Sequence, residues 1–523
     1  MRFLNRLLNS VHGQHREIEL VDQGNKKRHH LSNDLSINRD CLKEILKEMD
    51  DIVYREIKLG TREAYLEAVL IYAINLVDIN IVNENIIRPL NAYYLSKAEH
   101  SCKEPLTEAD IGEIVNISRI NNVTSYGDLV EGILSGNTIL LMDQCEKALV
   151  FSSQGRKARD VEESSVESLV RGPRDSFVES IQANIGLIRS RLKTPSLKAK
   201  KKIIGSESRT TVYVLYIDNI VDQQLLDNVI KKLDDIQIDG IFESGYLEQY
   251  LEKSSYSPFS QMQITERPDK ACANLLEGRV IILIDGNPQA LILPITFFQL
   301  FQSPEDYYER ILFGNFIRLL RYLGFIIATS LPSIYIALIS FHHEMIPMDL
   351  MLHLSKTRAQ VPFPPVVEVL LMEGTIELLR EASARLPNTI GQTIGIVGAI
   401  VIGDAAITAH LASPTMIIVV AITAIGSYVL PHYSTSYSLR LIRFPIILMA
   451  ATFGAFGIII AWTWIIVHLC SLDSFGYPYF SPLAPFDRGL KKDGIFRGAL
   501  WRLGESANTA NKKNQTRWWR GGL

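Results

Sequence analysis

The sequence predicts an α/β soluble N-terminal region built from two similar subdomains, followed by an α-helical transmembrane domain of about four spans. Three observations carry this. Apolar residues make up 47% of the 523-residue chain but crowd towards its C-terminal end, while charges dominate the rest. Two stretches of the N-terminal part repeat one another at a fixed offset. Four later stretches reach the length needed to cross a bilayer, or come close to it.

Taken in order, residues 1–40 are polar and lack sustained periodicity, which predicts a flexible arm. The repeat comes next. Leu134-Ser-Gly-Asn-Thr-Ile-Leu-Leu-Met-Asp143 with Ala148-Leu-Val150 matches Leu276-Glu-Gly-Arg-Val-Ile-Ile-Leu-Ile-Asp285 with Ala290-Leu-Ile292, without a gap, at an offset of 142 residues. Each copy is an apolar run, a polar turn and a second apolar run, the pattern of a β-hairpin with two buried strands. Upstream, Val69-Leu-Ile-Tyr72 with Val77-Asp78 resembles Tyr213-Val-Leu-Tyr216 with Val221-Asp222. Two α/β subdomains, 41–155 and 205–310, follow from this, joined by a helical basic linker over 156–204. The linker's Arg171, Arg174, Arg189, Arg191 and Lys193 lie near no glycine-rich phosphate loop, so structural ion pairs are the expectation.

Composition removes several classes of function. Cys41, Cys102, Cys145, Cys272 and Cys470 show neither zinc-ligand spacing nor the density of a secreted disulfide framework. A net charge of −3 gives no reason to invoke nucleic acid. The soluble part shows no nucleophile beside a base, no paired metal ligands and no phosphate loop, so neither an enzyme nor a cofactor is expected. Asp143 and Asp285 sit in hairpin turns, where Asp is favoured for local backbone hydrogen bonds. The first residues lack the apolar core of a signal peptide, which places the long N-terminal part in the cytosol.

The transmembrane domain, 311–470, opens with a span from about Phe316 to Ser340, with Arg318 and Arg321 placed to snorkel at the cytosolic boundary. Further spans are expected from Ile390 to about Leu411, from Ser413 to Leu430, and from Phe444 to Leu469, whose Trp462 and Trp464 suit an interface. Between the first two spans, an amphipathic segment with Glu368, Glu373, Glu377, Arg380, Glu381 and Arg385 reads as an outer-face or re-entrant helix buried against protein. Glu368, Glu373, Arg380 and Arg385 are its candidates for a coupling role. The tail over 471–523 carries nine Lys/Arg against four acids, which places it with the N-terminus on the cytosolic side.

The second span carries the chemistry. Gly391, Gly395 and Gly398 fall at helical spacing and allow another helix to approach closely. On an adjacent face Thr393, Val397, Ile400, Asp404 and Thr408 recur at intervals of three and four, with Val401 beside them. A carboxylate inside a membrane helix needs water or a partner. Either this stripe lines an ion path between associated copies, with Val397 and Ile400 as an apolar constriction, or Asp404 pairs with His410 or caps a helix end.

An ordered series of motifs now enters: GPRDSF (172–177), RLKTP (191–195), IDGIFESGYLEQ (238–249), TERPDK (265–270), EGRVIILIDGNP (277–288), FQSPEDYYER (301–310), PFPPVVEVLLME (362–373), ELLREASARLP (377–387) and IGQTIGIVGAIVIGDAAITAHLASP (390–414). With these, from about residue 40 to 500, the chain resembles the A subunit of GerA-type spore germination receptors. The resemblance implies a component of a nutrient sensor in the spore inner membrane. Its implied partners are membrane lipid, a transporter-like B subunit and a lipoprotein C subunit. It also implies a homo-oligomeric ring, a pentamer, whose membrane helices form a cation channel lined by the glycine-rich span and opened when nutrient binds. Members of the family usually carry glutamine where this chain has Asp404 and glycine where it has His410, and the stretch from about Gly504 to Leu523 exceeds the usual pattern. A non-conducting scaffold of the receptor cluster, or a stage V sporulation homologue that amplifies ion release, are the alternatives.

Overall fold

The computed structural model describes residues 30–60, 65–97, 114–117, 119–155, 167, 169–486 and 493–498. The arm over 1–29, Cys102, most of the basic tail and the stretch from Gly504 to Leu523 lie outside the described residues. Helices α1 to α7 accompany the sheets: Leu35–Ile45, Arg88–Lys97, Tyr126–Leu134, Ile181–Arg191, Gln223–Asp234, Ser244–Leu251 and Pro268–Leu276. The first sheet holds β1 (Ile52–Gly60), β2 (Tyr65–Ala73), β3 (Ile120–Val123), β4 (Thr138–Met142) and β5 (Ala148–Phe151), in the order β1-β2-β4-β5-β3. The second holds β6 (Leu197–Ile204), β7 (Thr210–Ile217), β8 (Gln263–Thr265), β9 (Val280–Ile284) and β10 (Ala290–Leu293), in the order β6-β7-β9-β10-β8. Both are antiparallel throughout and share one strand order.

Continuous apolar strands arise because helices cover both faces of each sheet. In the second, Leu215, Ile281, Leu283 and Ile292 pack against α4 and α7, while the alternate residues Val212, Val214, Ile282 and Leu291 pack against α5 and α6. The repeat reaches into hydrogen bonding. Asp143 and Asp285 are not confined to their turns: each accepts from the first amide of a distant helix, Leu35 of α1 (3.3 Å) and Ile181 of α4 (3.4 Å). Asn38 clasps the amide and carbonyl of Ser32 just as Asn184 clasps those of Val178.

These equivalences correct the linker expected over 156–204, since α4 and β6 are structural parts of the second lobe and bury Ile181, Ile185, Ile188, Leu197 and Ala199 in its core. Arg171, Arg189 and Arg191 form ion pairs, the first with Glu309. Arg189, fully buried, grips Asp51 of the first lobe through two nitrogens, one at 2.6 Å. Main-chain bonds from Asp50 to Ala199 and from Ala199 to Glu48 run alongside and lock the two lobes together. Arg191 pairs with Asp175.

The second lobe carries a bundle of helices: α8 (Ile311–Ser340), α9 (Met348–Arg358), α10 (Pro365–Arg385), α11 (Asn388–Thr408), α12 (Pro414–Tyr428) and α13 (Tyr433–Ser471). Two stretches, Ile311–Ser340 and Ser434–Ser471, are long and apolar enough to cross a membrane. The fourth expected span, 444–469, is instead part of a helical hairpin. Gly454 has φ 62° and ψ −139°, and an added Cβ there would lie 2.9 Å from Phe341 at the end of α8. Pro258 and Ser257, one residue apart, bond Ser438 of the first arm and His468 of the second. A straight helix would hold those two residues about 45 Å apart. Trp462, expected at an interface, lies inside the bundle and donates to Ser330 (2.9 Å).

Arg318 and Arg321 do not snorkel. Both are buried against Asp306, at 3.2 and 2.7 Å, and Arg318 also meets Asp493 at 3.2 Å. Arg497 donates to the carbonyls of Asp306 and Glu309, and its amide donates to Asn315. The described part of the tail therefore folds back: Ser474 bonds Gln261, Tyr477 bonds Asp222, and Tyr479 is buried. These pairings fill buried donors and acceptors that a free tail would leave in water.

At the start of α13 a third buried cluster joins the bundle to the second lobe. Lys270 of α7 lies 2.9 Å from Glu167, and His432 places Nδ1 3.5 Å from the same carboxylate while Gln263 meets Nε2 at 2.8 Å. A neutral ring with its proton on Nδ1 satisfies both contacts. Burial pushes the Glu167 carboxyl up, but Lys270 and His432 more than offset this and hold it below the usual range. Burial, with the Lys270 ammonium beside it, lowers His432 from its ordinary value of 6.5. Because the unfolded chain then protonates this histidine first, stability from the contact is complete above about pH 6.5 and declines as pH falls below it. Thermal unfolding of the purified chain should occur at lower temperature at about pH 5.5 than at about pH 7.5. His432→Gln should flatten that dependence, and an unchanged slope in the variant would discount the histidine.

Candidate functional site

The bundle helices run lengthwise between a proximal end at the second lobe and a distal end at Phe341 and Gly454. Helix α12 descends beside the ascending α8: Ser413 sits near Tyr335, and the backbones of Gly426 and Gly324 nearly touch. Helix α10 descends with α12, from Glu368 at the level of Ser413 to Arg380 at the level of Ser427. It thus traverses the bundle, rather than lying on the outer face or re-entering. Helix α11 ascends against α10, so with the two arms of α13 six segments run lengthwise where four spans are expected from sequence. Outward-facing Leu319, Leu323, Ile326, Ile418, Ile425, Leu441, Leu448 and Ile459 give the bundle an apolar exterior.

Inside it is a ladder of charges. Glu373 and Arg443, both fully buried, pair directly, and Arg443 Nη2 lies 3.6 Å from Glu377. Arg440 donates to Glu377 at 2.7 Å. Arg380 reaches Ser427 and Tyr428, each at 3.1 Å. Glu368 accepts from the amide and hydroxyl of Ser413, at 2.6 and 2.7 Å, where that residue caps α12. Three of the four coupling candidates, Glu368, Glu373 and Arg380, therefore join this network. Arg385 does not: it is exposed and pairs with Glu381 on its own helix. Sequence reasoning missed Arg440 and Arg443, because they stand just before the apolar run at Phe444 and resemble a flank. Their three-residue spacing, matched to Glu373 and Glu377 one turn apart, was the available signal.

The glycines and the polar stripe occupy different sides of α11. An added Cβ at Gly391 would meet the Ser383 carbonyl at 2.5 Å, one at Gly398 would meet Leu379 at 2.8 Å, and one at Gly395 would meet the Ser383 hydroxyl at 3.4 Å. The glycine face is thus seated on α10. Thr393, Val397, Ile400, Val401, Asp404 and Thr408 are all exposed, with Ile400 at 67%. Among the described residues no ion pair joins Asp404 to His410, which is itself exposed beyond the helix end.

A two-lobed α/β domain fixed at one end of an apolar-skinned bundle, with charges paired inside and two stretches long and apolar enough to cross a membrane, defines the class of architecture. The sequence profile described as Bacillus/Clostridium GerA spore germination protein matches residues 40–508, and the chain belongs to that family. Spore germination protein KA of Bacillus subtilis (strain 168) is 40% identical over 487 residues, covering 93% of this chain and 88% of its own length. An uncharacterized membrane protein of the same organism, YfkQ, is 38% identical over 92% of this chain and 93% of its own length. Among solved structures, the N-terminal domain of the A subunit of the Bacillus megaterium spore germinant receptor GerK3 is 30% identical, with a TM-score of 0.42, covering 52% of this chain and 99% of that domain.

Removal of one partner from the Glu373–Arg443 pair leaves a buried charge alone. Glu373→Ala should cost about 3–5 kcal/mol, whereas Glu373→Leu combined with Arg443→Leu should recover most of the loss. Thermal unfolding of the purified chain reads both; equal losses in single and double variants would count against a paired charge.

Proposed function

We propose that this chain is a membrane subunit of a nutrient-sensing spore germination receptor, whose copies associate so that α11 lines a cation path. The carrying observation is the division of α11: its glycine face is seated on α10, while Val397, Ile400, Val401, Asp404 and Thr408 on the other side are exposed. In a ring of copies, five in the arrangement that the family resemblance suggests, this stripe would face the axis. Val397, Ile400 and Val401 then supply an apolar constriction that closes by dewetting, Asp404 draws cations, and Thr393 and Thr408 offer hydroxyls to a hydrated ion.

In this reading the bundle crosses the spore inner membrane with the α/β lobes on the core side. The second arm of α13 is about 26 Å long from Gly454 to Ser471, and Phe341 stands about 30 Å from Arg321 along α8. Both lengths match a hydrocarbon layer of about 30 Å. A transporter-like partner subunit and a lipoprotein complete the receptor, and nutrient binding to the former favours the open ring through differential contacts.

The test is cation efflux from spores carrying the full receptor with Val397→Ala or Asp404→Asn, at checked protein abundance. The first should leak without nutrient, and the second should pass ions at a changed rate or preference. Normal triggered efflux in both would make the chain a non-conducting scaffold.

A further inference from the structure

We infer that the loop between α6 and β8 is a lipid-facing anchor, with Tyr256 seated at the proximal boundary between hydrocarbon and headgroups. The inference rests on the reading of the bundle as membrane-embedded. Tyr256 is fully exposed, yet the loop that bears it is pinned. Ser257 Oγ meets His468 Nε2 at 2.9 Å, and the Phe259 ring lies 6.2 Å from the His468 ring. The Pro258 carbonyl accepts from Ser438 on the other arm of the hairpin, and Lys253 pairs with Asp473 just past the end of α13.

Depth then follows from helix length. Ser438 lies 16 residues before Gly454 and His468 lies 14 after it, so both stand about 21–24 Å from the distal turn. The hydrocarbon layer is about 30 Å deep, which leaves both contacts within about two helical turns of its proximal boundary. Tyr256 is held one residue from these contacts and projects from the bundle at that level. Trp464, 68% exposed, stacks on His468 with centroids 6.3 Å apart and continues the same aromatic column into the apolar zone. A tyrosine with an apolar ring and a polar tip is suited to that boundary, as is a tryptophan one helical turn deeper. The Lys253–Asp473 ion pair, just past the end of α13, stands on the headgroup side. A single exposed aromatic on a soluble surface carries no such meaning; here its place beside two lipid-facing helix ends supplies it. The consequence is mechanical: the second lobe is tied to the bilayer surface as well as to α8 and α13.

The test places a nitroxide label at Tyr256→Cys in the full-length chain in lipid nanodiscs, with Cys102, Cys145 and Cys470 replaced by serine and the buried Cys41 and Cys272 retained. Relative access of oxygen and a water-soluble nickel chelate reads depth. Labels at Ser206→Cys, in an exposed turn of the second lobe, and at Ile459→Cys, on the outer face of the hairpin, supply the aqueous and hydrocarbon references. The expected result is a value at position 256 between the two references. Chelate access equal to that at 206, with 459 still shielded, overturns the anchor while leaving the membrane reading intact. Chelate access at 459 overturns both. Spin–spin broadening at 256 that disappears when labelled chain is diluted with unlabelled chain would show a second copy against the loop, and also overturns it. Should the labelled variant fail to fold, Tyr256→Trp in the otherwise native chain serves. Added quenching by lipids brominated near the headgroup supports the anchor, and none opposes it.

Discussion

A charge within hydrocarbon is tolerated only where a partner meets it, and the Glu373–Arg443 pair imposes that condition on most of the bundle. In the proposed membrane placement the pair lies about 16 Å from the distal turn, near half the depth of the layer. A shift of one helical turn between α10 and the first arm of α13 would separate both Arg443 from Glu373 and Arg440 from Glu377. Arg380 against Ser427 and Glu368 against Ser413 then fix α12 to the same frame. Four contacts at successive heights set one register for three helices. Helix α11 stands apart from this frame. It is seated on α10 through glycines, which supply close backbone approach, and through Ala406, buried beside Val369 and Met372.

How far the sequence revealed this depends on the kind of signal involved. The offset linking Leu134–Asp143 with Leu276–Asp285 was plain, because both hairpins occupy the same place in sheets of the same order, and burial on both faces keeps all four strands apolar. The glycine spacing in α11 was equally plain, since close packing selects for absent side chains. The hairpin in α13 was hidden. Residues 444–469 are apolar from end to end, composition does not register direction, and the turn depends on the backbone angles of Gly454 alone. Arg440 and Arg443 were hidden for a related reason, because arginines beside an apolar run resemble a cytosolic flank until a partner helix is known. Partners far apart in the chain, such as Asp51 with Arg189 and Asp306 with Arg497, left no local trace.

The same buried contacts decide how a displacement could travel. The second lobe meets the bundle at Asp306 with Arg318 and Arg321 of α8, at Glu167 and Lys270 with His432 before α13, and at the 257–258 loop with both arms of the hairpin. All three attachments grip α8 or α13. In the proposed mechanism one route from the α/β lobes to α11 runs through the first arm of α13, across Arg443 and Glu373 to α10 and on through the glycine face, and another runs from α8, whose Tyr335 and Ile336 pack with Ala406 of α11. The two joints of the first route differ in character. The ion pair is buried and directional, so displacing either helix alone would break it. The glycine contact brings two backbones together without a charged pair between them. In the proposed ring, a slide of α11 along its axis would exchange Val397 and Ile400 for Asp404 and Thr408 at one height, which is what a gate that works by wetting requires.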